Sequence, residues 1–401
     1  MHVKKALRVL AAASFILFSI LQTGFAKNPA KHTADKKFLL YVGTYTSDEN
    51  HKDTGSKGIY AFRVDESGDK LQIEPLGLEA ETLNPSFLAV DPSRKFLYAV
   101  NELSQYKGAS SGSVTAFAID RKTAKLSYLN EVASRGADPC YISFDKTGKY
   151  ALVANYTGGS VATFPVLNDG QVGEAAAFVQ HTGKSIRPDR QEGPHAHWIE
   201  TAADNRYALA ADLGLDEILV YRFNAADGSL LANLPAFAKL AGGTGPRHVA
   251  FHPNGKFVYV VDELNSTVNA FTYDAQRGVL KPLQTISTLP KEFSGSNDTA
   301  EIHVHPNCKF VYASNRGHDS IVVYAIDPEG GFLTTVQDIS TQGKTPRNFE
   351  FDPSGRWLLA ANEDSGTIVI FSVDEKTGKL TPTGQSVSVP APVSLRFVAA
   401  E

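Results

Sequence analysis

A short unit of alternating hydrophobic and polar residues recurs along most of the chain. Each copy has an apolar strand after a proline, a turn of the DPSG or HPNG type, a second apolar strand and then Asn or Asp, as in GPRHVAFHPNGKFVYVVDE from Gly245. A third strand such as STVNAFTYD and a fourth strand introduced by GKL, GVL or GSL complete the unit. The two-residue period is typical of β-strands, so each unit is predicted to form four antiparallel strands.

The spacing of these units predicts the architecture. A sheet of four short strands cannot bury both of its faces alone, and a repeat of roughly 50 residues is typical of stacked propeller blades. The C-terminal APVSLRFV matches only a first strand, and the N-terminal KFLLYVGTYT matches only a second strand. We therefore predict an all-β, seven-bladed β-propeller with a core of about 38–398, in which residues 392–398 pair with 38–45 and both termini complete one blade. The units begin at Pro85, Pro139, Pro194, Pro246, Ala300 in place of proline, Pro346 and Pro392.

The first 26 residues depart from this pattern. Lys4, Lys5 and Arg8 precede the apolar run AAASFILFSIL, and Gly24-Phe25-Ala26 provides small residues after it. This order of a basic segment, a short apolar run and small residues is typical of a secretory signal peptide. We predict a cleaved signal over 1–26, a single propeller domain over 27–401, and a periplasmic or secreted protein that does not associate with a membrane after cleavage.

Charge and cysteine content narrow the function. The chain has a formal net charge of −4 and no run of basic residues, which argues against nucleic acid as a partner. Its two cysteines, Cys140 and Cys308, lie in different units and form neither a disulfide framework nor a cysteine-based zinc site. A small molecule is therefore the partner that the sequence favours, and the oligomeric state stays open.

The first strand of each blade lines the central channel of a propeller, so the residue after the repeat proline should recur at one level of that channel. Charged residues occupy this position on four consecutive blades, which is costly in a partly desolvated channel unless they are paired or used. The residues two positions further on are mostly apolar, with His197 and His303 as exceptions. We predict a site for an anionic or carbonyl-bearing small ligand on the charged side of the mouth. The predicted ring is Ser86, Cys140, His195, Arg247, Glu301, Arg347 and Val393.

Other interpretations stay open from the residues alone. The charged ring residues could form an inter-blade salt-bridge network, and the Asn or Asp that ends most second strands fits turn chemistry. A metal site formed by His195, His197 and His303 is possible on strand geometry, but Arg247 and Arg347 would repel a cation, so no metal is expected. His197 could equally fill the core, whereas Arg316, which follows a second strand, is a candidate ligand contact. A non-enzymatic exported propeller that binds a sugar or protein partner is a further alternative.

Several segments together resemble the bacterial 6-phosphogluconolactonase family of seven-bladed propellers. They are YVGTYT, RQEGPHAH, GPRHVAFHPNGKFVYVVDELNSTV, AEIHVHPNCKFVYASNRGHDSI and TPRNFEFDPSG, and the resemblance runs from about residue 38 to 398. It implies lactone chemistry without a metal or other cofactor. The fold family also includes the fungal 3-carboxy-muconate lactonizing enzymes, so a cycloisomerase is an alternative to a lactonase. The positions implied are catalytic His195, Arg247, Glu301 and Arg347, with Arg190, His197 and Arg316 nearby for substrate binding.

Lactone hydrolysis needs an activated water, a stabilised oxyanion and a proton for the ring oxygen. We expect His195 to act as general base and acid, with Glu301 orienting either His195 or an arginine. Arg247 would polarise the carbonyl, and Arg347 and Arg316 would hold the other end of the substrate. Because 6-phosphogluconolactone is a cytosolic compound, an exported enzyme should instead act on an unphosphorylated sugar lactone such as glucono-1,5-lactone.

Overall fold

The computed structural model describes residues 36–47, 52–68 and 70–401, and the strands in these ranges form seven four-stranded sheets. Every pairing within a sheet is antiparallel, as the alternating pattern predicts; one example is β1 (Lys37–Thr44) beside β2 (Gly58–Asp65). The predicted signal segment 1–26 lies outside the described residues. Within them, no helix has the length and apolar character needed to cross a membrane.

Each sheet is one blade, and we number the blades in chain order from the first complete one. The chain begins with β1, β2 and β3 (Gln72–Glu81). Blade 1 is β4 (Pro85–Val90), β5 (Phe96–Asn101), β6 (Ser113–Ile119) and β7 (Leu126–Ala133). Blade 2 is β8 (Pro139–Phe144), β9 (Tyr150–Asn155), β10 (Ser160–Pro165) and β11 (Ala177–Gln180). Blade 3 is β12 (Ala196–Thr201), β13 (Tyr207–Asp212), β14 (Glu217–Asn224) and β15 (Ser229–Lys239).

The second half of the chain continues in the same way. Blade 4 is β16 (Pro246–Phe251), β17 (Phe257–Asp262), β18 (Thr267–Asp274) and β19 (Val279–Ser287). Blade 5 is β20 (Asp298–Val304), β21 (Phe310–Arg316), β22 (Ser320–Ile326) and β23 (Leu333–Ser340). Blade 6 is β24 (Pro346–Phe351), β25 (Trp357–Asn362), β26 (Thr367–Val373) and β27 (Leu380–Ser388), and β28 (Pro392–Ala399) ends the chain.

Blade 7 joins the two ends of the chain in the strand order β28-β1-β2-β3. Phe38 pairs with Ala399 and Val42 with Leu395, so the predicted pairing of the terminal segments is confirmed. The first strands of neighbouring blades contact one another around the whole ring, and β28 contacts both β24 and β4. Because this pairing closes the ring of blades, it removes the gap that a linear array of sheets would leave between its first and last members.

Buried tyrosines connect neighbouring blades. Tyr98 on the second strand of blade 1 donates a hydrogen bond to the carbonyl oxygen of Gly170, in a turn of blade 2, at 2.7 Å. Three other second-strand tyrosines donate in the same way to a turn of the following blade, and burial raises the pKa of each of the four. These contacts hold adjacent blades in register and so help to set the positions of the channel-lining strands. The three are Tyr41, Tyr259 and Tyr312.

A β-bulge interrupts the pairing of the first and second strands near the start of every first strand. In blade 1, Pro85 pairs with Asn101 and Phe87 with Val100, which leaves Ser86 unpaired and re-aims its side chain. The bulge residue is therefore the structural equivalent of the predicted ring position. Around the propeller the bulge residues are Ser86, Cys140, His197, Arg247, Ala300, Arg347 and Val393.

This ring differs from the predicted one in blades 3 and 5. In blade 3, Ala196 rather than Pro194 pairs with Asp212, so His197 occupies the bulge and His195 precedes the strand. In blade 5, Thr299 pairs with the last Asn of the second strand, so Ala300 takes the bulge position and Glu301 comes one residue later. The repeat motif aligns Pro194 and Ala300 with the prolines of the other blades. In these two blades, however, Ala196 and Thr299 are the residues that pair at the strand start, so the ring positions predicted from the motif are wrong here.

Candidate active site

Two of the predicted arginines line one small pocket at the channel mouth. Arg247 and Arg347 stand at the bulges of blades 4 and 6, and both contribute to the wall of this pocket. Bulge residues of blades 1, 2 and 7 form much of the remaining wall, together with Glu102, which follows the second strand of blade 1. The bulges thus bring side chains from five blades to a common cavity. Its lining residues are Ser86, Phe87, Glu102, Cys140, Arg247, His248, Arg347 and Val393.

Glu263 is the common partner of three predicted arginines. Its Oε2 lies 2.9 Å from Arg247 Nε and 3.0 Å from Arg316 Nη2, and its Oε1 accepts a hydrogen bond from Arg190 Nη2. Burial alone would raise the pKa of Glu263, but Arg316, Arg247 and Arg190 together lower it to about 2. The carboxylate is therefore ionised at neutral pH and holds these three side chains together.

Arg247 has one guanidinium nitrogen, Nη2, that forms no hydrogen bond with the described residues. Its Nη1 donates to the Ala300 carbonyl oxygen at 2.7 Å and lies 3.3 Å from His248 Nε2, while Nε is used by Glu263. Within the described residues no hydrogen bond engages Nη2. Burial and the charges of Arg316 and Arg347 lower the pKa of Arg247 to about 10, which still leaves it cationic at neutral pH.

Arg347 belongs to a second polar cluster in the same pocket. Its Nη2 donates to Tyr45 Oη at 2.8 Å, and Tyr45 Oη in turn donates to Glu102 Oε2 at 2.8 Å. Although burial opposes its charge, Tyr45, Glu363 and Glu102 hold the pKa of Arg347 above its ordinary value. Burial raises the pKa of Glu102 and of Glu363, an effect that Arg347 opposes. The pocket therefore contains a fixed cation beside a carboxyl group that retains its proton more readily than an exposed glutamate.

His195 lies beside Tyr156 rather than among the residues that line the pocket. Its ring stacks on the Tyr156 ring at 4.6 Å, and its Nδ1 lies 3.2 Å from the Tyr156 carbonyl oxygen. That acceptor requires the Nδ1 proton, so Nε2 is the nitrogen that can take up another proton. Nε2 lies 3.1 Å from a carboxylate oxygen of the exposed Glu192.

His197 is buried at the bulge of blade 3, and its Nδ1 lies 3.6 Å from the sulfur of Cys140. Burial, together with the charges of Arg247, His248 and Arg347, lowers the pKa of His197 well below the ordinary histidine value. His197 is therefore neutral at physiological pH and can offer a polar contact without adding charge.

Glu301 contacts neither His195 nor an arginine directly. Its Oε1 lies 2.9 Å from His248 Nδ1 and accepts from the Ile302 backbone N–H, while its Oε2 accepts from Asn348 Nδ2 at 2.6 Å. Burial opposes the charge of Glu301, but His248 and His303 hold its pKa well below the usual range. The predicted orienting role is thus corrected: Glu301 reaches Arg247 only through His248, whose pKa burial lowers to about 4.

Three glutamates of the site are not among the residues predicted from the sequence. Glu102, Glu263 and Glu363 each follow the last residue of a second strand, which is also the position of Tyr156 in blade 2. This shared position could have identified them, because the predicted ligand contact Arg316 occupies the same position at the end of the second strand of blade 5. Within the described residues, no three His, Cys, Asp or Glu side chains are arranged to hold a metal ion, and both cysteines are free thiols.

Comparison with known proteins identifies the family. The model of a family described as a seven-bladed β-propeller lactonase matches residues 39–397. The chain belongs to this family. It is accordingly an enzyme that acts on a carboxylic ester, as the resemblance implied.

Individual relatives agree with this assignment over most of the chain. The chain is 37% identical to a 6-phosphogluconolactonase of Bacillus subtilis over 362 residues, which cover 90% of this chain and 99% of the relative. It is 36% identical to a 6-phosphogluconolactonase of Formosa agariphila, covering 79% of this chain and 87% of that protein. The solved structure of a periplasmic gluconolactonase from Pseudomonas aeruginosa is similar with a TM-score of 0.83 and 35% identity, covering 91% of this lactonase and 100% of that chain.

Proposed function

We propose that this lactonase hydrolyses an unphosphorylated sugar lactone of the glucono-1,5-lactone type to the aldonic acid, at the channel mouth. The observation that carries the proposal is that Arg247 and Arg347 line one pocket together with Glu102. Hydrolysis of a lactone passes through a tetrahedral oxyanion, and fixed cations in a site with little water stabilise such a charge strongly. Arg247 Nη2 is the donor best placed for this, because the other guanidinium nitrogens already have partners.

In the proposed reaction, His195 takes a proton from the attacking water through Nε2. The Tyr156 carbonyl oxygen fixes the ring tautomer that this step needs, and a Glu192 carboxylate oxygen lies 3.1 Å from Nε2. Arg347 and Arg316 hold the hydroxyl groups of the sugar, with Arg190 beside them. Neutral His197 adds a hydrogen-bonding contact, and no step is assigned to a metal ion.

The charge balance at the mouth supports an unphosphorylated substrate. Arg190, Arg247 and Arg316 share the carboxylate of Glu263, and Arg347 contacts Tyr45 near Glu102 and Glu363. A phosphate dianion would have to compete with these carboxyl groups for each arginine, whereas a neutral lactone would not. The similarity to the periplasmic gluconolactonase of Pseudomonas aeruginosa covers 91% of this chain and 100% of that protein, which also favours this substrate class.

We further propose that residues 1–26 are a cleaved signal peptide and that the protein works in the periplasm or outside the cell. The sequence pattern of this segment supports the proposal, as does the periplasmic relative. Cell fractionation followed by N-terminal sequencing tests it. We expect the protein in the exported fraction with a new N-terminus near Lys27, and an intact Met1 in the cytosol would contradict the proposal.

The activity test measures acid release at constant pH by residues 27–401, with glucono-1,5-lactone and its 6-phospho derivative, each against spontaneous hydrolysis. We expect faster turnover of the unphosphorylated lactone and loss of catalysis in His195→Ala. His252→Ala is the matched control, because it removes a histidine from the turn after β16, at the far end of that strand from the mouth. Preference for the phosphorylated lactone would overturn the substrate proposal, and no acceleration of either would overturn the reaction.

A further inference from the structure

Hydrogen bonds hold Glu102 in place at the pocket, and one of its two side-chain oxygens accepts from Tyr45. Its backbone N–H donates to the Asn84 carbonyl oxygen at 2.9 Å, and its own carbonyl oxygen accepts from Asn84 Nδ2. Its side-chain Oε2 accepts from Tyr45 Oη. Within the described residues no side chain donates to Oε1 with hydrogen-bond geometry, but the Ser86 hydroxyl lies near the carboxyl group, and both residues line the pocket together with two arginines. The carboxyl group is therefore fixed in place with one oxygen available to a ligand.

The surroundings of Glu102 make its carboxyl group easier to protonate than that of an exposed glutamate. Burial raises the pKa of Glu102, and this effect outweighs the opposing charge of Arg347 and the opposing hydrogen-bond contacts of Ser86 and Tyr45. Because Tyr45 Oη accepts from Arg347, its own proton points to Glu102 Oε2 and occupies that oxygen. A proton carried by Glu102 consequently belongs on Oε1.

The other acidic groups nearby are less suited to give up a proton. Glu263 is ionised through its three arginines, and Glu301 uses both oxygens within the protein. Burial raises the pKa of Cys140, whose thiol lies against backbone carbonyl oxygens. Among the residues that line the pocket, Glu102 is the one with a carboxyl group.

We propose that Glu102 is the general acid that protonates the ring oxygen of the lactone as its bond to the carbonyl carbon breaks. This inference rests on the proposed lactone hydrolysis and separates two steps that could otherwise both fall to His195. The oxygen of water bonds to the carbonyl carbon and its proton goes to His195. The tetrahedral intermediate then expels the ring oxygen, which takes the Glu102 proton and becomes a hydroxyl group. Solvent removes the proton from His195 and returns one to Glu102, so the net reaction is lactone plus water to hydroxy acid.

The first experiment compares Glu102→Gln with the wild type on glucono-1,5-lactone. General acid catalysis typically contributes about 100- to 10,000-fold, so we expect kcat to fall by at least about 100-fold while KM changes little. Glu102→Asp, which keeps an acid, should retain more activity than Glu102→Gln. Glu200→Gln is the matched control, because Glu200 of blade 3 pairs with Lys146 of blade 2 and does not line the pocket, so its kcat should stay close to that of the wild type.

The second experiment separates an acid from a structural residue. In Glu102→Ala, added formic acid should restore turnover in proportion to the concentration of its protonated form, because it can occupy the space of the lost carboxyl group. The assignment is overturned if Glu102→Gln keeps kcat within about fivefold, or if Glu102→Ala folds normally and formic acid restores nothing. A wild-type protein with no lactone hydrolysis would instead overturn the proposed function itself.

Discussion

The channel-lining level just below the mouth has two unlike halves on the same backbone. At the residue after the bulge, blades 1 to 3 carry aromatic side chains and blades 4 to 7 carry polar ones. On the aromatic side, the Tyr141 ring lies 4.3 Å from that of Phe87 and 5.8 Å from that of Trp198. On the polar side, the Glu301 carboxylate forms hydrogen bonds with the side chains of His248 and Asn348. The two halves are Phe87, Tyr141 and Trp198, and His248, Glu301, Asn348 and Ser394.

The difference shows how one repeated fold yields an asymmetric site. Apolar packing on the aromatic half is non-directional, so it stabilises the ring without specifying the direction of a polar group. The polar half is directional: Asn348 also accepts the Leu395 N–H at 3.0 Å, and Ser394 accepts the Leu88 N–H at 3.0 Å. These bonds tie the polar half to the strand backbones and, through His248, to Arg247. We therefore expect changes to the polar half to alter stability and catalysis more than changes to the opposite side.

The largest effect should follow from removal of the central carboxylate. Glu301→Leu leaves the neutral His248 and Asn348 side chains buried without a hydrogen-bond partner, which typically costs about 1 to 3 kcal/mol of unfolding free energy for each group. Urea unfolding measures the loss. Glu200→Leu serves as the control, because its exposed pair with Lys146 should be worth less than about 1 kcal/mol. Equal losses in the two variants would contradict the distinction between a buried and a partly exposed carboxylate.

The next largest effect should be on catalysis. Arg247→Met removes the proposed oxyanion donor but leaves Glu263 paired with Arg190 and Arg316, so the fold should survive. Loss of one such donor typically lowers turnover by about 100- to 1,000-fold. Steady-state kinetics on glucono-1,5-lactone measures it. Arg187→Met is the control, because Arg187 pairs with the exposed Asp189 and donates to the Leu264 carbonyl oxygen but does not line the pocket. Activity within tenfold of the wild type would be inconsistent with the proposed donor.

A smaller effect is expected on the stability of the fold at acidic pH. The folded-state pKa of His248 is about 4, below the ordinary value of 6.5, so between these values the unfolded chain binds a proton that the folded chain does not. The unfolding free energy should therefore fall as the pH drops from 6.5 towards 4, by at most about 1.4 kcal/mol per pH unit from this group. Buried His197 contributes in the same direction.

His248→Asn should make this decline shallower, whereas Tyr141→Phe on the aromatic half should leave its slope unchanged. Urea unfolding at several pH values between 4.5 and 6.5 measures the slopes. If His248→Asn declined as steeply as the wild type, the acid sensitivity would have to come from other groups.

The smallest expected effect is the labelling of Cys140 by a thiol reagent. Cys140 lies on the side of the mouth away from the charged blades. Burial raises the pKa of its thiol, and thiol reagents attack the thiolate. In the folded protein we expect a thiol reagent to label the partly exposed Cys308 and to leave Cys140 largely unmodified. Mass spectrometry after labelling measures this, with the urea-unfolded protein as the control in which both react. Rapid labelling of Cys140 in the folded state would show that the mouth is more open than its packing indicates.

Local pattern was sufficient for the architecture but not for the details of the site. The repeat predicted seven blades and the pairing of β28 with β1, since alternation and turn motifs are properties of short segments. The predicted ring was displaced in blades 3 and 5, because a bulge lies where strands pair, and pairing is not visible in one strand alone. Glu263 was not selected for a similar reason: its importance comes from arginines 73 residues before it and 53 after it in sequence, at positions 190 and 316.

The sequence by itself determined the blade number, the closure by both termini and a set of charged residues near the channel. Each depends on the order of residues within a segment of four strands. Only the tertiary structure decided which charges meet, which of them are buried and which protonation states result. The shared Glu263 carboxylate, the pKa of His248 and the free oxygen of Glu102 all arise between blades. They depend on distance and burial, because electrostatic interactions strengthen as water is excluded, and a linear sequence specifies neither quantity directly.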